Sequence, residues 1–170
     1  MTLGIFSDSH YATDRLEETL AFFKDQGVRM LLHAGDIGPI RHLEMIRAAE
    51  IPFSAVFGNN DAALRIFAED YPVWNEPLYL GAGEIRVKMM HHPLYMTPDC
   101  DLLIYGHTHE PRASLHGTML VLNPGEVCGR ESGRTQCALL KKEGDRWEVA
   151  LCHREDAGEW VIRKEEFVIG

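Results

Sequence analysis

Residues 3–10 read LGIFSDSH, an apolar run that ends in two side chains of the metal-binding kind. A short apolar run of this type predicts a buried β-strand, from Leu3 to Ser7, that delivers Asp8 and His10 at its carboxyl end. Side chains two residues apart in an extended backbone point to the same side. We therefore expect Asp8 and His10 to converge on one ion if the strand continues locally into the turn.

The residues that follow predict alternating helices and strands. A helix begins near Thr13 or Asp14, where Asp14 and Glu17 resemble a capping box, and Gly27 can close it in a left-handed conformation. The further predicted elements are a strand over 29–34, a helix over 41–49 and a strand over 53–57. This order implies parallel strands joined by right-handed crossovers, with ligands beyond the carboxyl ends of the strands.

Five polar segments follow predicted strands at such ends. They read Asp8-Ser-His10, Gly35-Asp36, Gly58-Asn59-Asn60-Asp61, His91-His92 and Gly106-His107-Thr108-His109. One divalent ion needs only about four metal-binding groups, so seven groups with one shared carboxylate suit two adjacent ions. We therefore predict a two-metal hydrolase. The seven candidate ligands are Asp8, His10, Asp36, Asn59, His91, His107 and His109.

Two features sharpen this prediction. Asn59 is the most discriminating candidate, because a neutral amide oxygen is an uncommon ligand and a simple turn does not require it. Gly35, Gly58 and Gly106 each stand directly before a candidate ligand. Glycine at these positions fits a backbone that turns sharply or approaches a ligand closely. It is equally common in ordinary loops that have no such requirement.

The second half of the chain predicts mainly short strands. Hairpins are predicted over 78–90 and 113–122, and further strands over 136–140, 147–151 and 160–169. We expect a mostly antiparallel second sheet that packs on the first, with helices outside. The whole chain, residues 1–170, is expected to form a single domain.

Composition disfavours several classes of partner. The formal net charge is -9, which disfavours long nucleic acids and anionic membranes because clustered Lys and Arg hold those partners. An anionic substrate must therefore be held locally, and metal ions would do so. The four cysteines show no CxxC pairing and are expected to be reduced thiols of the core. The N-terminus has no leader pattern and no apolar stretch approaches a membrane span, so a cytoplasmic protein is expected.

The five ordered segments resemble the signature of the calcineurin-like metallophosphoesterases, and the chain is most similar to their small bacterial and archaeal phosphodiesterase branch. Asn123-Pro124-Gly125 resembles a later turn of that family. The resemblance implies a four-layer α/β/β/α sandwich of two packed mixed sheets. It also implies a first ion held by Asp8, His10, Asp36 and His109, and a second held by Asp36, Asn59, His91 and His107. Asp36 would bridge the two ions.

A phosphoesterase mechanism follows as a hypothesis from this resemblance. A water between the ions would lose a proton and attack phosphorus in line, while the ions neutralise the phosphoryl oxygens. Many relatives carry a His where this chain has Asn60, which cannot act as a general acid. His92 is the nearest candidate proton donor, although His91 and His92 could exchange roles. Activated diesters are then expected to turn over faster than alkyl diesters.

Several alternatives stay open at this level. Manganese is the first candidate metal, and iron, zinc, nickel and cobalt also suit such ligands. A small phosphoester is the expected substrate, with phosphomonoesterase or protein phosphatase activity as a variant of phosphodiesterase activity. A non-catalytic binding scaffold of the same fold is a further alternative, but it would not need all seven candidate ligands. A homodimer is the candidate assembly, and the short segment after His92 leaves the site open or completed by a second subunit.

Three further positions carry smaller predictions. His33 either orients a ligand or is a satisfied buried histidine, and Asp61 either supports a ligand histidine or caps the following helix. His42 is expected at the surface because it adjoins none of the five segments.

Overall fold

Two mixed β-sheets pack face to face in the computed structural model, which describes residues 1–170. The elements in chain order are β1 (Leu3–Phe6), α1 (Thr13–Asp25), β2 (Met30–His33), α2 (Ile40–Ala48), β3 (Phe53–Val56), a 3-10 helix (Ala62–Phe67), β4 (Val73–Trp74), β5 (Leu78–Ala82), β6 (Ile85–Met89), β7 (Leu102–Ile104), β8 (Arg112–His116), β9 (Met119–Asn123), β10 (Thr135–Glu143), β11 (Arg146–Arg154) and β12 (Val161–Val168). The first sheet has the order β12-β11-β10-β1-β2-β3-β4 and the second β5-β6-β7-β9-β8.

The parallel strands at the centre of the first sheet are confirmed. Phe6 of β1 is in register with His33 of β2, and His33 is in register with Ala55 of β3. The carboxyl ends of these strands therefore lie at one edge of the sheet. The segments that begin at Asp8, Gly35 and Gly58 leave the sheet at this edge.

The last three strands correct the prediction, which placed them in the second sheet. β10 pairs antiparallel with β1, with Leu3 opposite Leu140, and β11 and β12 extend the first sheet beyond it. β10 has two apolar faces, since Ala138 packs between the sheets and Cys137 packs under the helices. Apolar residues predict that a segment is a strand but do not specify which edge it joins, so the error concerned pairing and not element type.

The second sheet is mixed, so the prediction that it is mostly antiparallel is wrong, whereas both predicted hairpins are confirmed. β5 pairs antiparallel with β6 and β8 with β9, while β6, β7 and β9 are parallel. Residues 93–101, which connect β6 to β7, contain no helix. They pass over the outer face of the sheet, where the Lys88 ammonium lies 3.1 Å from Asp99 and Cys100 packs on Leu103. This short crossover carries the chain from His91 back to β7.

Two apolar layers hold the sheets and helices together. Leu3 and Ile5 pack between the sheets against residues such as Met89 and Leu102. The opposite face of the first sheet packs against α1 and α2. All four cysteines are free, and Cys128 alone is not buried. No helix of the structure has the length and apolar character needed to cross a membrane.

The start of α1 corrects a second prediction. The helix begins at Thr13, and its N-cap residue Ala12 has no side-chain capping bond. The expected capping box of Asp14 and Glu17 is therefore absent. Asp14 lies inside the first turn instead, where a carboxylate still favours the positive end of the helix. Gly27 has φ +65° after the helix, as predicted.

Candidate metal centre

Five of the seven candidate ligands have a left-handed backbone conformation. The φ angles are +54° at Asp8, +44° at His10, +55° at Asp36, +65° at His107 and +59° at His109. The expectation that Asp8 and His10 converge through an extended backbone is therefore wrong. Asp8 and His10 approach each other because the chain turns sharply at both residues. A non-glycine residue keeps this conformation only where its surroundings enforce it.

Asp61 enforces the turn at Asp36. Its carboxylate accepts hydrogen bonds from the backbone N–H groups of Ile37 (2.9 Å), Gly38 (3.2 Å) and Gly58 (2.7 Å). Burial raises the pKa of Asp61, and the three N–H donors oppose that rise. Asp61 bonds neither a ligand histidine nor, through its side chain, the start of the 3-10 helix. Both predicted roles are thus replaced by a third, which is to tie the segments after β2 and β3 together.

Two buried histidines, His33 and His42, also support the turn at Asp36. His33 Nδ1 accepts a hydrogen bond from the Gly35 N–H (3.2 Å), and its Nε2 lies 2.8 Å from Ser9 Oγ. The Ser9 hydroxyl donates to the Ile37 carbonyl (2.8 Å), to which the His42 ring also donates through Nδ1 (2.7 Å). His33 is therefore a satisfied buried histidine, whose pKa burial lowers to about 3. The prediction that His42 lies at the surface is wrong, because this bond to the turn requires it inside.

The three glycines before candidate ligands allow close approach. A Cβ atom on Gly35 would lie 2.6 Å from the His91 ring. A Cβ on Gly58 would lie 2.2 Å from an Asp36 carboxylate oxygen. A Cβ on Gly106 would lie 2.1 Å from the Ser7 hydroxyl. The structure thus favours close approach over loop punctuation at all three positions.

A first cluster joins Asp8, His10, Asp36 and His109. His10 Nε2 lies 3.9 Å from Asp8 Oδ1 and 3.6 Å from Asp36 Oδ2, and His109 Nε2 lies 3.2 Å from Asp8 Oδ1. Asp8 Oδ1 and His10 Nε2 are buried without a hydrogen-bond partner. Buried polar atoms are normally paired, so two orphaned atoms that face each other fit a missing cation between them.

Glu126 stands behind the first cluster and was missed by the sequence reasoning. Its Oε2 accepts the Nδ1–H of His109 (2.7 Å), and its Oε1 accepts the backbone N–H groups of Glu131 (2.9 Å) and Ser132 (2.6 Å). Burial opposes its ionisation, but hydrogen bonds from Ser132, the Cys128 thiol and His109 lower the pKa of Glu126 to about 2. Asp8, followed by Glu126, raises the pKa of His109 to about 9. A carboxylate that orients a ligand histidine is the usual support of a metal site.

A second cluster joins Asp36, Asn59, His91 and His107. His91 Nε2 lies 3.0 Å from Asn59 Oδ1 and 3.5 Å from Asp36 Oδ2, and the His91 and His107 ring centres are 5.1 Å apart. The His91 Nδ1–H donates to the Ala34 carbonyl (2.9 Å). In the neutral ring Nε2 then carries a lone pair that faces the Asn59 oxygen. With the ring neutral, this nitrogen and the Asn59 oxygen are two acceptors that suit a shared cation; burial opposes protonation of the ring, but Asp36 and Asp8 raise the pKa of His91.

Glu76 holds the His91-His92 segment in place and was also missed. Its Oε2 accepts the backbone N–H groups of His91 (2.6 Å) and His92 (2.8 Å), and its Oε1 accepts the Nδ1–H of His92 (2.7 Å). Of the two histidines, only His91 lies within 4.0 Å of Asp36. His92 Nε2 remains free, and its ring centre lies 4.5 Å from that of His107.

Asp36 lies between the two clusters. Its Oδ2 is 3.6 Å from His10 Nε2 and 3.5 Å from His91 Nε2. Asn60 donates its backbone N–H to Oδ1 (2.8 Å) and its side-chain N–H to Oδ2 (2.7 Å). Burial opposes ionisation of Asp36, but His91 and Asn60 hold the pKa of Asp36 well below its usual range. The carboxylate is therefore ionised and central.

The spacing of these donor atoms fits metal coordination. Two donors bound to one ion at roughly 2.1 Å lie roughly 3.0 Å apart when adjacent in an octahedron and roughly 4.2 Å apart when opposite. The donor pairs described above are separated by 3.0 to 3.9 Å. Imidazole, carboxylate and amide groups are ligands of divalent transition metals. Both the chemical type and the spacing of these donor atoms therefore fit coordination of a divalent metal ion.

Comparison with known proteins gives one family. The model of the calcineurin-like phosphoesterase superfamily domain matches residues 1–145. Phosphodiesterase MJ0936 of Methanocaldococcus jannaschii is 26% identical over 156 residues, which cover 84% of this chain and 94% of that protein. Phosphodiesterase YfcE of Escherichia coli K12 is 26% identical over 149 residues, which cover 75% of this chain and 79% of that protein. The solved structure of Vacuolar Protein Sorting 29 from Cryptosporidium parvum shares the fold, with a TM-score of 0.79, 22% identity and coverage of 98% of this chain and 97% of that one. The predicted sandwich of two packed mixed sheets is thereby confirmed.

Proposed function

The chain belongs to the calcineurin-like phosphoesterase superfamily, and from this premise we propose that it is a phosphodiesterase that uses two divalent metal ions. One observation carries the proposal. Asp36 Oδ2 lies almost equally far from His10 Nε2 (3.6 Å) and His91 Nε2 (3.5 Å), which belong to separate donor clusters. A carboxylate in this position can serve two cations at once. The phosphodiesterase names of the two sequence relatives support the same activity.

The proposed ligand sets follow the two clusters. The first ion is assigned to Asp8, His10, Asp36 and His109, and the second to Asp36, Asn59, His91 and His107. When bound, the ions would neutralise the phosphoryl oxygens and lower the pKa of a bridging water that attacks phosphorus in line. Manganese remains our first candidate, with iron, zinc, nickel and cobalt as alternatives.

The protein groups around the ions have distinct proposed tasks. Asn60 fixes the Asp36 carboxylate, and Asp61 fixes the turn that presents it. Glu126 keeps the Nε2 lone pair of His109 turned toward the first ion. Glu76 orients His92, for which we propose the role of proton donor to the leaving oxygen. In hydrolysis the water oxygen bonds to phosphorus, the bond to the leaving oxygen breaks with its electron pair, and that oxygen takes up a proton.

The substrate class is a small phosphoester. The net charge of -9 works against a long nucleic acid, so binding must depend on the ions and on groups beside them. Phosphomonoesterase activity uses the same centre and is a variant of the proposal. A binding scaffold of this fold would not need a complete donor set with carboxylate supports behind His109 and His92. The proposed homodimer can be tested directly by light scattering.

One experiment tests the proposal. Bound metal is counted in the purified protein, and hydrolysis of a chromogenic diester and monoester is measured with added manganese and after chelation. We expect two ions per chain and diester turnover that chelation abolishes. Asp36→Asn and Asn59→Ala should lose turnover while keeping the fold. Full activity in either variant, or metal-free protein that is inactive with every metal, would refute the two-ion assignment.

A further inference from the structure

A cavity of about 240 Å³ opens beside the second donor cluster. It shares Asn59 and His92 with the candidate metal centre, so a group inside it lies next to the place where phosphorus would be attacked. The lining side chains are those of Phe57, Asn59, Arg65, Asn75, Glu76 and His92. Nothing in the proposed hydrolysis uses Phe57, Arg65 or Asn75.

Arg65 is held in a defined position in this cavity. Its Nη1 donates a hydrogen bond to Asn75 Oδ1 at 2.6 Å, and its guanidinium carbon lies 5.0 Å from the centre of the Phe57 ring. A guanidinium carries five N–H donors, and the structure shows one of them in use. A planar cation stacked on an aromatic ring is ordered in advance for binding an oxyanion.

The charge of Arg65 has no carboxylate partner. No acidic oxygen lies within 4.0 Å of it, so Arg65 belongs to the unpaired half of the twelve arginines; the six that form ion pairs are Arg15, Arg86, Arg134, Arg146, Arg154 and Arg163. Glu76 is the carboxylate of the cavity, but both of its oxygens are already bonded to the backbone and ring of the His91-His92 segment. An exposed cation that no carboxylate contacts therefore lines the cavity, while the Glu76 carboxylate in the same cavity is engaged by the His91-His92 segment.

We propose that this cavity binds the leaving group of the substrate, and that the leaving group carries a second oxyanion, a carboxylate or a phosphate, which pairs with Arg65. The inference rests on the proposed phosphodiesterase function and adds the substrate class: phosphodiesters of an alcohol that is itself anionic. Asn75 and Phe57 position the guanidinium, and Asn59 and His92 join the cavity to the metal centre. Substrates without the second charge would bind through the ions alone.

Matched synthetic substrates test this inference. Three methyl aryl phosphates are compared, in which the leaving phenol carries a para carboxamide, a para carboxylate or a para phosphonate. The carboxamide and carboxylate are nearly equal in size and differ in charge. An exposed charge-assisted contact is worth about 1 kcal/mol, which is about fivefold in KM. We expect KM to be about fivefold lower for the charged substrates, and the oxyanion with the lower KM identifies the natural group.

Variants then assign the preference to Arg65. Arg65→Ala should raise KM for the charged substrates about fivefold relative to the carboxamide and so remove the charge preference, while Arg65→Lys should retain part of it. Arg29→Ala is the matched control, because Arg29 is exposed before β2 at the opposite end of the strands. Equal KM values for all three substrates, or a charge preference that survives in Arg65→Ala, would overturn the inference. Absence of any turnover by the metal-loaded wild type would instead overturn the proposed function.

Discussion

Replacing Glu126 with Gln should weaken metal binding at the first donor cluster without removing any ligand. Both Glu126 oxygens accept hydrogen bonds, one from two backbone N–H groups and the other from the His109 Nδ1–H. Gln offers one oxygen, so its NH₂ group must face either the two backbone N–H groups or the His109 Nδ1–H. If the amide oxygen stays with the backbone, His109 can avoid the clash by moving its proton to Nε2. That tautomer has no lone pair for the ion.

The size of this effect follows from the contacts. Removing a carboxylate that orients a metal ligand typically costs about 10- to 100-fold in metal affinity, or about 1.4 to 2.8 kcal/mol. Loss of a hydrogen bond to a buried charge also costs about 2 kcal/mol of unfolding free energy. We therefore expect Glu126→Gln to bind the first ion at least about tenfold more weakly and to unfold at lower urea concentration.

Metal titration against a chromogenic chelator and urea unfolding of the metal-free protein would measure the two effects separately. Glu131→Gln is the matched control, since it makes the same change in charge in the same loop, at an exposed side chain whose backbone N–H remains. A metal affinity for Glu126→Gln within twofold of the control would refute the role assigned to Glu126.

Four further outcomes are expected. In Gly58→Ala the new Cβ would lie 2.2 Å from an Asp36 carboxylate oxygen, so turnover should fall at least about tenfold and the unfolding free energy by about 2 kcal/mol. The control Gly81→Ala, which has open space at its Cβ, should match wild type in both. The pKa of His33 falls from 6.5 to about 3 on folding, so only the unfolded chain takes up this proton as pH drops below 6.5. The unfolding free energy of the wild type should then fall by up to about 1.4 kcal/mol per pH unit more steeply than that of His33→Gln. Parallel plots of unfolding free energy against pH for the two proteins would contradict this. Asp61→Ala leaves three N–H groups without acceptors and should cost about 3 kcal/mol in urea unfolding; a cost below about 1 kcal/mol would show that Asp61 does not tie the turns together. Since Asn60 cannot donate a proton as an acid and His92 is left as the one proposed donor, aryl diesters, whose leaving oxygens need little protonation, should be hydrolysed faster than alkyl diesters, and equal rates would count against that reasoning.

The sequence was sufficient to predict that the candidate ligands would lie together at one edge of the first sheet. Each candidate segment follows an apolar strand, and parallel strands bring their carboxyl ends to one edge, so Asp8, Asp36 and Asn59 had to meet. The strands β10 to β12 were also predictable as strands. Their place beside β1 was not, because strand pairing depends on contacts between residues about 137 positions apart, such as Leu3 and Leu140.

The supports of the site were harder to find in the sequence. Glu126 and Glu76 bond residues that lie 17 and 16 positions away, and isolated glutamates carry no spacing pattern that distinguishes them from surface residues. A signal did exist for Glu126, which directly follows Asn123-Pro124-Gly125, where Gly125 has φ +81°. A turn that presents a carboxylate to the predicted centre could have been suspected there. His42 lacked any such signal, since its buried role depends on a carbonyl group of the neighbouring turn.

The left-handed backbone at Asp8, His10, Asp36, His107 and His109 also bears on how such a protein can evolve. Each non-glycine residue in this conformation costs about 1 kcal/mol relative to glycine. Five of them cost about 5 kcal/mol, which is comparable to the whole stability of a marginal domain. A lineage freed from the need to bind metal would gain stability by replacing these residues one at a time. Substitutions at these five positions are therefore expected to be favoured in a relative that has lost the proposed metal centre.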